Sequence, residues 1–313
     1  MASSAGRGVH RARPALQRRR SFLRAVGAGC AMGPAVLARA AGAATQDAQA
    51  SAVQATPFDA ELVRTGLYLI RGGGGNSLLR LSANGMLLVD GKLPGTYRAL
   101  MSQVRRISKL SDMPVRVLVL TNHHEEHAGD SAQFMAAGIA IVAQRDVLAN
   151  LSLPETQGAA GRAAVVGFDG ERTLRMGGVE VQLKHFGPGR TSGDTVVLFP
   201  DLRIVALGDL LITGAPEPDF AAGGSLVGWS GVLARVLELD FDRVVPGSGP
   251  AVSRDDLVVF TAKVDALVSR AIALVKAGVT RDALMSRLRT DDLDWQLRFS
   301  GPALDSLFAE LSR

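Results

Sequence analysis

Short apolar runs, broken at regular intervals by turn residues, set the pattern of the chain beyond its first 57 residues. Leu67-Tyr68-Leu69-Ile70, Ser77-Leu78-Leu79-Arg80-Leu81 and Met86-Leu87-Leu88-Val89-Asp90 are strand-length, and Gly72–Asn76 and Ala83-Asn84-Gly85 between them carry the turn chemistry of an antiparallel meander. Pro94-Gly95-Thr96 then opens a helix in which Leu100, Met101, Val104 and Ile107 recur at helical spacing. Val115 to Leu120 is a buried strand ending at Thr121-Asn122, and Ile139-Ala140-Ile141-Val142 is another after an intervening helix.

The second half repeats the mixture. Arg162 to Phe186 reads as several strands turning at Asp169-Gly170 and Gly177-Gly178, followed by strands at Thr195–Phe199 and Arg203–Leu207. Each half ends a buried strand in a carboxylate, Asp90 and Asp209. Asp255 to Lys276 is a long amphipathic helix stopped at Gly278, and a last helical stretch runs from Thr280 to the end. Gly214–Gly228, rich in Pro and Gly, reads as a loop near the site, with Trp229 packing beside it.

Charge changes the picture at the N-terminus only. Of 35 basic and 30 acidic side chains, eight arginines and no acid fall within residues 1–44, so the rest of the chain is net −3. The overall +5 therefore belongs to a leader and gives no case for nucleic-acid binding. Arg19-Arg20-Ser21-Phe22-Leu23-Arg24 followed by a weakly apolar run from Ala25 to Leu37 resembles a twin-arginine export signal, and the run is too short to span a bilayer. The expected organisation is a signal peptide over 1–44, a polar linker over 45–57, a main α/β domain over 58–252 and a helical C-terminal extension of the same domain over 253–313. The destination is the periplasm, with no membrane association after cleavage. Cys30, the only cysteine, lies in the leader, so the mature chain has no disulfide and no thiolate ligand.

The chemistry is concentrated in Thr121-Asn122-His123-His124-Glu125-Glu126-His127-Ala128-Gly129-Asp130, directly after a buried strand. Imidazoles and carboxylates gathered at a strand end suit a zinc ion. This segment, with Gly187-Pro188-Gly189-Arg190-Thr191-Ser192-Gly193-Asp194, Leu207-Gly208-Asp209 and Val245-Pro246-Gly247-Ser248-Gly249-Pro250, resembles in order the four motifs of the metallo-β-lactamase fold family of hydrolases. The resemblance implies a four-layer αββα sandwich with its site at the strand ends. It implies metal ligands at His124, His127 and Asp209, with Glu126 at a position the family gives to aspartate. Asn122, Arg190 and Ser248 stand where the family has histidine.

An arginine has no lone pair to offer a metal and stays protonated, so the first of the family's two metal sites is lost. The second keeps Glu126, His127 and Asp209, with Ser248 or water as fourth ligand, the ligand count of a mononuclear catalytic zinc. In that arrangement Glu126 orients the attacking water or takes its proton, and the substrate is a small ester, lactam, lactone or thioester. In the competing arrangement Arg190 pairs with Glu126 and Asp209 in place of the metal, and a non-catalytic protein holds an anionic ligand through Arg190. His123 reads as an exposed neighbour, His185 as structural, and Asp90 as a holder of the loop through hydrogen bonds. The mature chain is expected to begin between about Ala41 and Gln46; N-terminal sequencing of exported material checks this, and an intact 1–40 segment contradicts it.

Overall fold

In the computed structural model, residues 58–108, 113–158 and 163–313 are described; the segments expected to be signal peptide and linker lie outside them. Two mixed sheets carry the chain. The first runs β1 Asp59–Arg64, β2 Leu67–Arg71, β3 Ser77–Ser82, β4 Gly85–Val89, β5 Val115–Val119, β6 Ala140–Gln144 and β7 Val165–Phe168, neighbours in space in that order. Its first four strands pair antiparallel, and β4 to β7 pair parallel. The second sheet has the order β13 Val252–Ser253, β12 Arg243–Pro246, β11 Ile204–Gly208, β10 Val196–Phe199, β9 Val179–Lys184 and β8 Glu171–Met176. Here only β11 and β12 are parallel.

The apolar runs are continuous because both faces of each sheet are covered. Leu67, Leu69, Val89 and Val119 face Val181, Val197, Phe199 and Val245 between the sheets. The alternate positions point outward. Ile70, Leu79, Leu88 and Leu118 meet helix α1 (Tyr97–Ile107), Phe134 of α3 (Ser131–Ala136) and Val147 of α4 (Arg145–Asn150). On the other sheet, Val196, Leu198, Val205 and Leu207 pack under α5 (Leu226–Leu237), α6 (Arg254–Lys276), α7 (Arg281–Arg287) and α8 (Gly301–Leu311). The architecture is the expected αββα sandwich, and the C-terminal helices complete its outer layer. Among the described residues no helix is long and apolar enough to cross a membrane.

Three local readings differ from the pattern. The strand β1 precedes the first run read as a strand; its exposed and polar positions hide it in the sequence. The stretch from Thr280 onward is broken between α7 and α8, where Leu293, Trp295 and Phe299 all turn into the same core, a spacing one helix face does not present. Part of Gly214–Gly228 is helical, since α5 starts at Leu226 with Ser225 accepting from Gly228 N. Trp229 is fully buried, its indole N–H donating to the Leu210 carbonyl.

The site end of the sandwich is pinned by an unusual group. Lys92 is fully buried, and its ammonium donates to the carbonyls of Ile70 (2.8 Å) and Gly75 (2.7 Å), holding the turn between β2 and β3. Burial pushes its pKa down to about 7, against the opposing pull of Asp90. Lys92→Met leaves both carbonyls without a donor and is expected to destabilise the fold by about 3 kcal/mol, measured by urea unfolding; a neutral substitution contradicts the pinning role.

Candidate metal and catalytic site

The parallel pairs β4–β5 and β11–β12 end side by side, and the residues that follow them form the site. Asp90 leaves β4 with φ +62°, a left-handed conformation that aims its carboxylate at the loop after β5. There it accepts from Thr121 N (2.8 Å) and Thr121 Oγ1 (2.7 Å). The loop then turns into α2 (Glu125–Ala128), a single turn that swings His127 inward until it is fully buried. Its Nδ1 lies 2.9 Å from Asp90 Oδ2 and its Nε2 3.0 Å from Asp209 Oδ1. Two glycines make this approach possible: a Cβ on Gly75 would stand 2.5 Å from the His127 ring, and one on Gly247 2.4 Å from Asp209 Oδ1.

Asp209 is the centre. Its Oδ2 accepts from Asn122 Nδ2 (3.1 Å) and faces His124 Nδ1 (3.2 Å). Asn122 is fully buried, and its Oδ1 accepts from His124 N at 2.9 Å, so this side chain braces both neighbours. The other nitrogen of His124, Nε2, meets Asp219 Oδ2 at 3.2 Å. The result is an alternating chain, Asp219, His124, Asp209, His127, Asp90, in which each imidazole has one outer carboxylate and shares Asp209.

The charges follow from this order. For Asp209, burial alone would raise the pKa, but the two histidines hold it well below the usual carboxylate range. Burial would lower His127, yet Asp90 and Asp209 raise it well above its ordinary value. His124 is raised chiefly by its hydrogen bond to Asp209, and Asp219 is lowered by His124 against its partial burial.

The carboxylate of Glu126 has an oxygen within 4.8 Å of the ligand atoms of His124 and Asp209, a set able to hold a cation. His123 is half-buried; its Nδ1 is buried without a hydrogen-bond partner, and burial lowers its pKa. It forms a second such set with His124 and Asp219. His185 Nδ1 donates to the Asp194 carbonyl at 2.9 Å. Ser248 is exposed in the turn after β12. Arg190 does not pair with Glu126 or Asp209 as the metal-free arrangement expects; its guanidinium donates to the carbonyl of Glu217, drawn there by the 214–225 loop lying across it.

Asp219 lies in none of the four sequence motifs. Its one local signal is the Asp-x-x-x-Gly of a short turn, in which its Oδ1 accepts from Ala222 N three residues on.

The comparisons fit this geometry. The family profile for the metallo-beta-lactamase superfamily matches residues 70–248, more than half of the chain, and the chain belongs to that superfamily. A curated relative, 2,4-dinitroanisole O-demethylase subunit alpha from Nocardioides sp. (strain JS1661), is 29% identical over 235 residues, covering 71% of this chain and 67% of its own. Among solved structures, a metallo-beta-lactamase from Pontibacter korlensis superposes with a TM-score of 0.58 at 18% identity, covering 66% of this chain and 99% of its own. The metallo-beta-lactamase IND-7 gives a TM-score of 0.56 at 20% identity over 66% and 98%. At these identities the solved structures speak for the fold.

One buried acid outside the chain of five also titrates in an accessible range. Asp194 accepts from Thr191 N (2.8 Å) and Thr191 Oγ1 (3.0 Å), and burial pushes its pKa up to about 7. The folded state holds this proton more tightly than the unfolded chain, so its contribution to stability is present at acid pH and is lost as pH rises from about 4 through about 7. Asp194→Asn should remove a slope of up to ~1.4 kcal/mol per pH unit in that window. Parallel urea unfolding of both proteins between pH 4.5 and 7.5, at roughly unit steps of the proton-linked slope, measures it, and identical slopes contradict it.

Proposed function

We propose that the protein is an exported, single-metal hydrolase with zinc as its ion. The observation that carries this is the alternating chain: each histidine has an outer carboxylate, Asp219 or Asp90, and each turns its other nitrogen toward Asp209. That is the arrangement by which a carboxylate fixes the tautomer of a metal-bound imidazole and presents its lone pair. The donor set fits zinc in kind, an imidazole nitrogen of His124 with carboxylate oxygens of Asp209 and Glu126. Asn122, Arg190 and Ser248 supply no imidazole, which argues for one ion per chain.

Zinc bound there supplies Lewis acidity, making a water a competent nucleophile near neutral pH. The chain's own residues do the rest. Glu126, whose carboxylate belongs to the same set, would orient a water held there and accept its proton. Asn122 and the two histidines hold Asp209 in one orientation, and Asp90 and Thr121 hold His127. The substrate is a small molecule with a polarised carbonyl: an ester, lactam, lactone or thioester. The fold hosts many chemistries and does not select among them. The O-demethylase relative favours a second substrate class, an aryl methyl ether activated by nitro groups. The twin-arginine-type leader supports delivery to the periplasm.

The test is metal content of protein taken from its export route with no zinc added, followed by assays on chromogenic esters, a thioester, a β-lactam and 2,4-dinitroanisole. About one zinc per chain is expected. Turnover should be abolished by a chelator, restored by zinc, and lowered ~10²–10⁴-fold by Glu126→Gln. Protein without zinc and without turnover favours the reading as a binding protein for an anionic ligand.

A further inference from the structure

The 214–225 loop reaches the site through its neighbour, the segment around Arg190. Asp219 N donates to the Arg190 carbonyl (2.7 Å), Ser192 N to that of Ala222 (2.9 Å), and Ser225 N to that of Gly189 (2.9 Å). The Arg190 guanidinium adds its bond to the Glu217 carbonyl. The contact is so close that a Cβ on Gly224 would stand 2.4 Å from the Arg190 carbonyl oxygen. Arg190 thus ties down, by main chain and side chain together, the loop that delivers Asp219 to His124.

A neutral imidazole has one N–H and one lone pair, and the nitrogen facing the fixed acceptor keeps the proton. Asp219 is such an acceptor: its Oδ1 is held by Ala222 N at 3.1 Å, which leaves Oδ2 directed at His124 Nε2. Asp209 Oδ2 lies equally far, 3.2 Å, from Nδ1, so a metal shared by Asp209 and Nδ1 would displace the proton on that side and leave it on Nε2 against Asp219. We infer that Asp219 is a positioning residue that sets His124 for metal binding through Nδ1, and that Arg190 serves as the clamp for its loop. This rests on the single-metal reading above. It gives the arginine at a lost histidine position a role whose sign is opposite to that of a bare cation: a positive charge near a metal site weakens the metal, whereas a clamp on Asp219 strengthens it.

The experiment is zinc affinity of the full chain by competition with a chromogenic chelator, together with the absorption spectrum of the cobalt-substituted protein. Asp219→Asn keeps an oxygen for Ala222 N and removes the carboxylate at His124. It should bind zinc 10- to 100-fold more weakly with an altered cobalt spectrum. Asp219→Glu should recover part of the affinity. Arg190→Met should also weaken zinc, and combining it with Asp219→Asn should add nothing further. Asp219→Asn within about twofold of wild type with an unchanged cobalt spectrum overturns the inference, given the 10- to 100-fold effect usual for such partners. So does tighter zinc binding by Arg190→Met. A His123→Ala loss equal to that of Asp219→Asn overturns it as well, because it makes Asp219 and His123 ligands together. Wild-type protein that takes up no zinc removes the function proposed above and this inference with it, whereas one zinc in wild type with an indifferent Asp219→Asn removes the inference alone.

Discussion

A carboxylate almost withdrawn from water at the end of a strand is the constraint around which the site is organised. Asp209 is 8% exposed, and an ionised group in that position requires charge or hydrogen bonds from every direction water has left. The structure supplies Asn122 and His124 on one oxygen and His127 on the other. Those donors must themselves be fixed, which explains Asp90 behind His127, Thr121 behind Asp90 and Asp219 behind His124. The left-handed turn at Asp90 and the close glycines at 75 and 247 are the backbone's share of the same requirement.

Much of this was legible in the sequence, for a physical reason. Asp90, His124, His127 and Asp209 sit at the ends of apolar runs, so strand periodicity located them and motif order grouped them. The three apolar cores and the long helix α6 followed from burial on two faces and from helical spacing. Asp219 was not legible, because its approach to His124 is set by main-chain hydrogen bonds between two loops that no periodicity marks. The direction of Arg190 was hidden for the same reason: side-chain type predicted a carboxylate partner, but the nearest acceptor proved to be a carbonyl. Lys92 has no local signature either, since its acceptors are backbone oxygens 22 and 17 residues earlier.

Asn122 and Arg190 act on the site in different ways. Asn122 contributes an N–H to Asp209 without contributing charge, and it takes a lone-pair direction that a cation would otherwise use. Arg190 works at the edge of the site on loop conformation. Both residues organise the groups around them.

The site is also divided between the two layers. Asp90, Asn122, His124 and His127 follow strands of the first sheet, whereas Arg190, Asp209 and Asp219 belong to the second, and Thr195 N bonds across to the Thr121 carbonyl at 2.8 Å. The separation of His127 from Asp209 is therefore an interlayer distance, set by how Val89, Val119, Val197 and Val245 interdigitate beneath it. Slippage of one sheet over the other would reach the His127–Asp209 pair undiminished, so the apolar filling acts as a gauge block for the polar cluster above it, and repacking far from any polar residue becomes a route by which that cluster's geometry drifts.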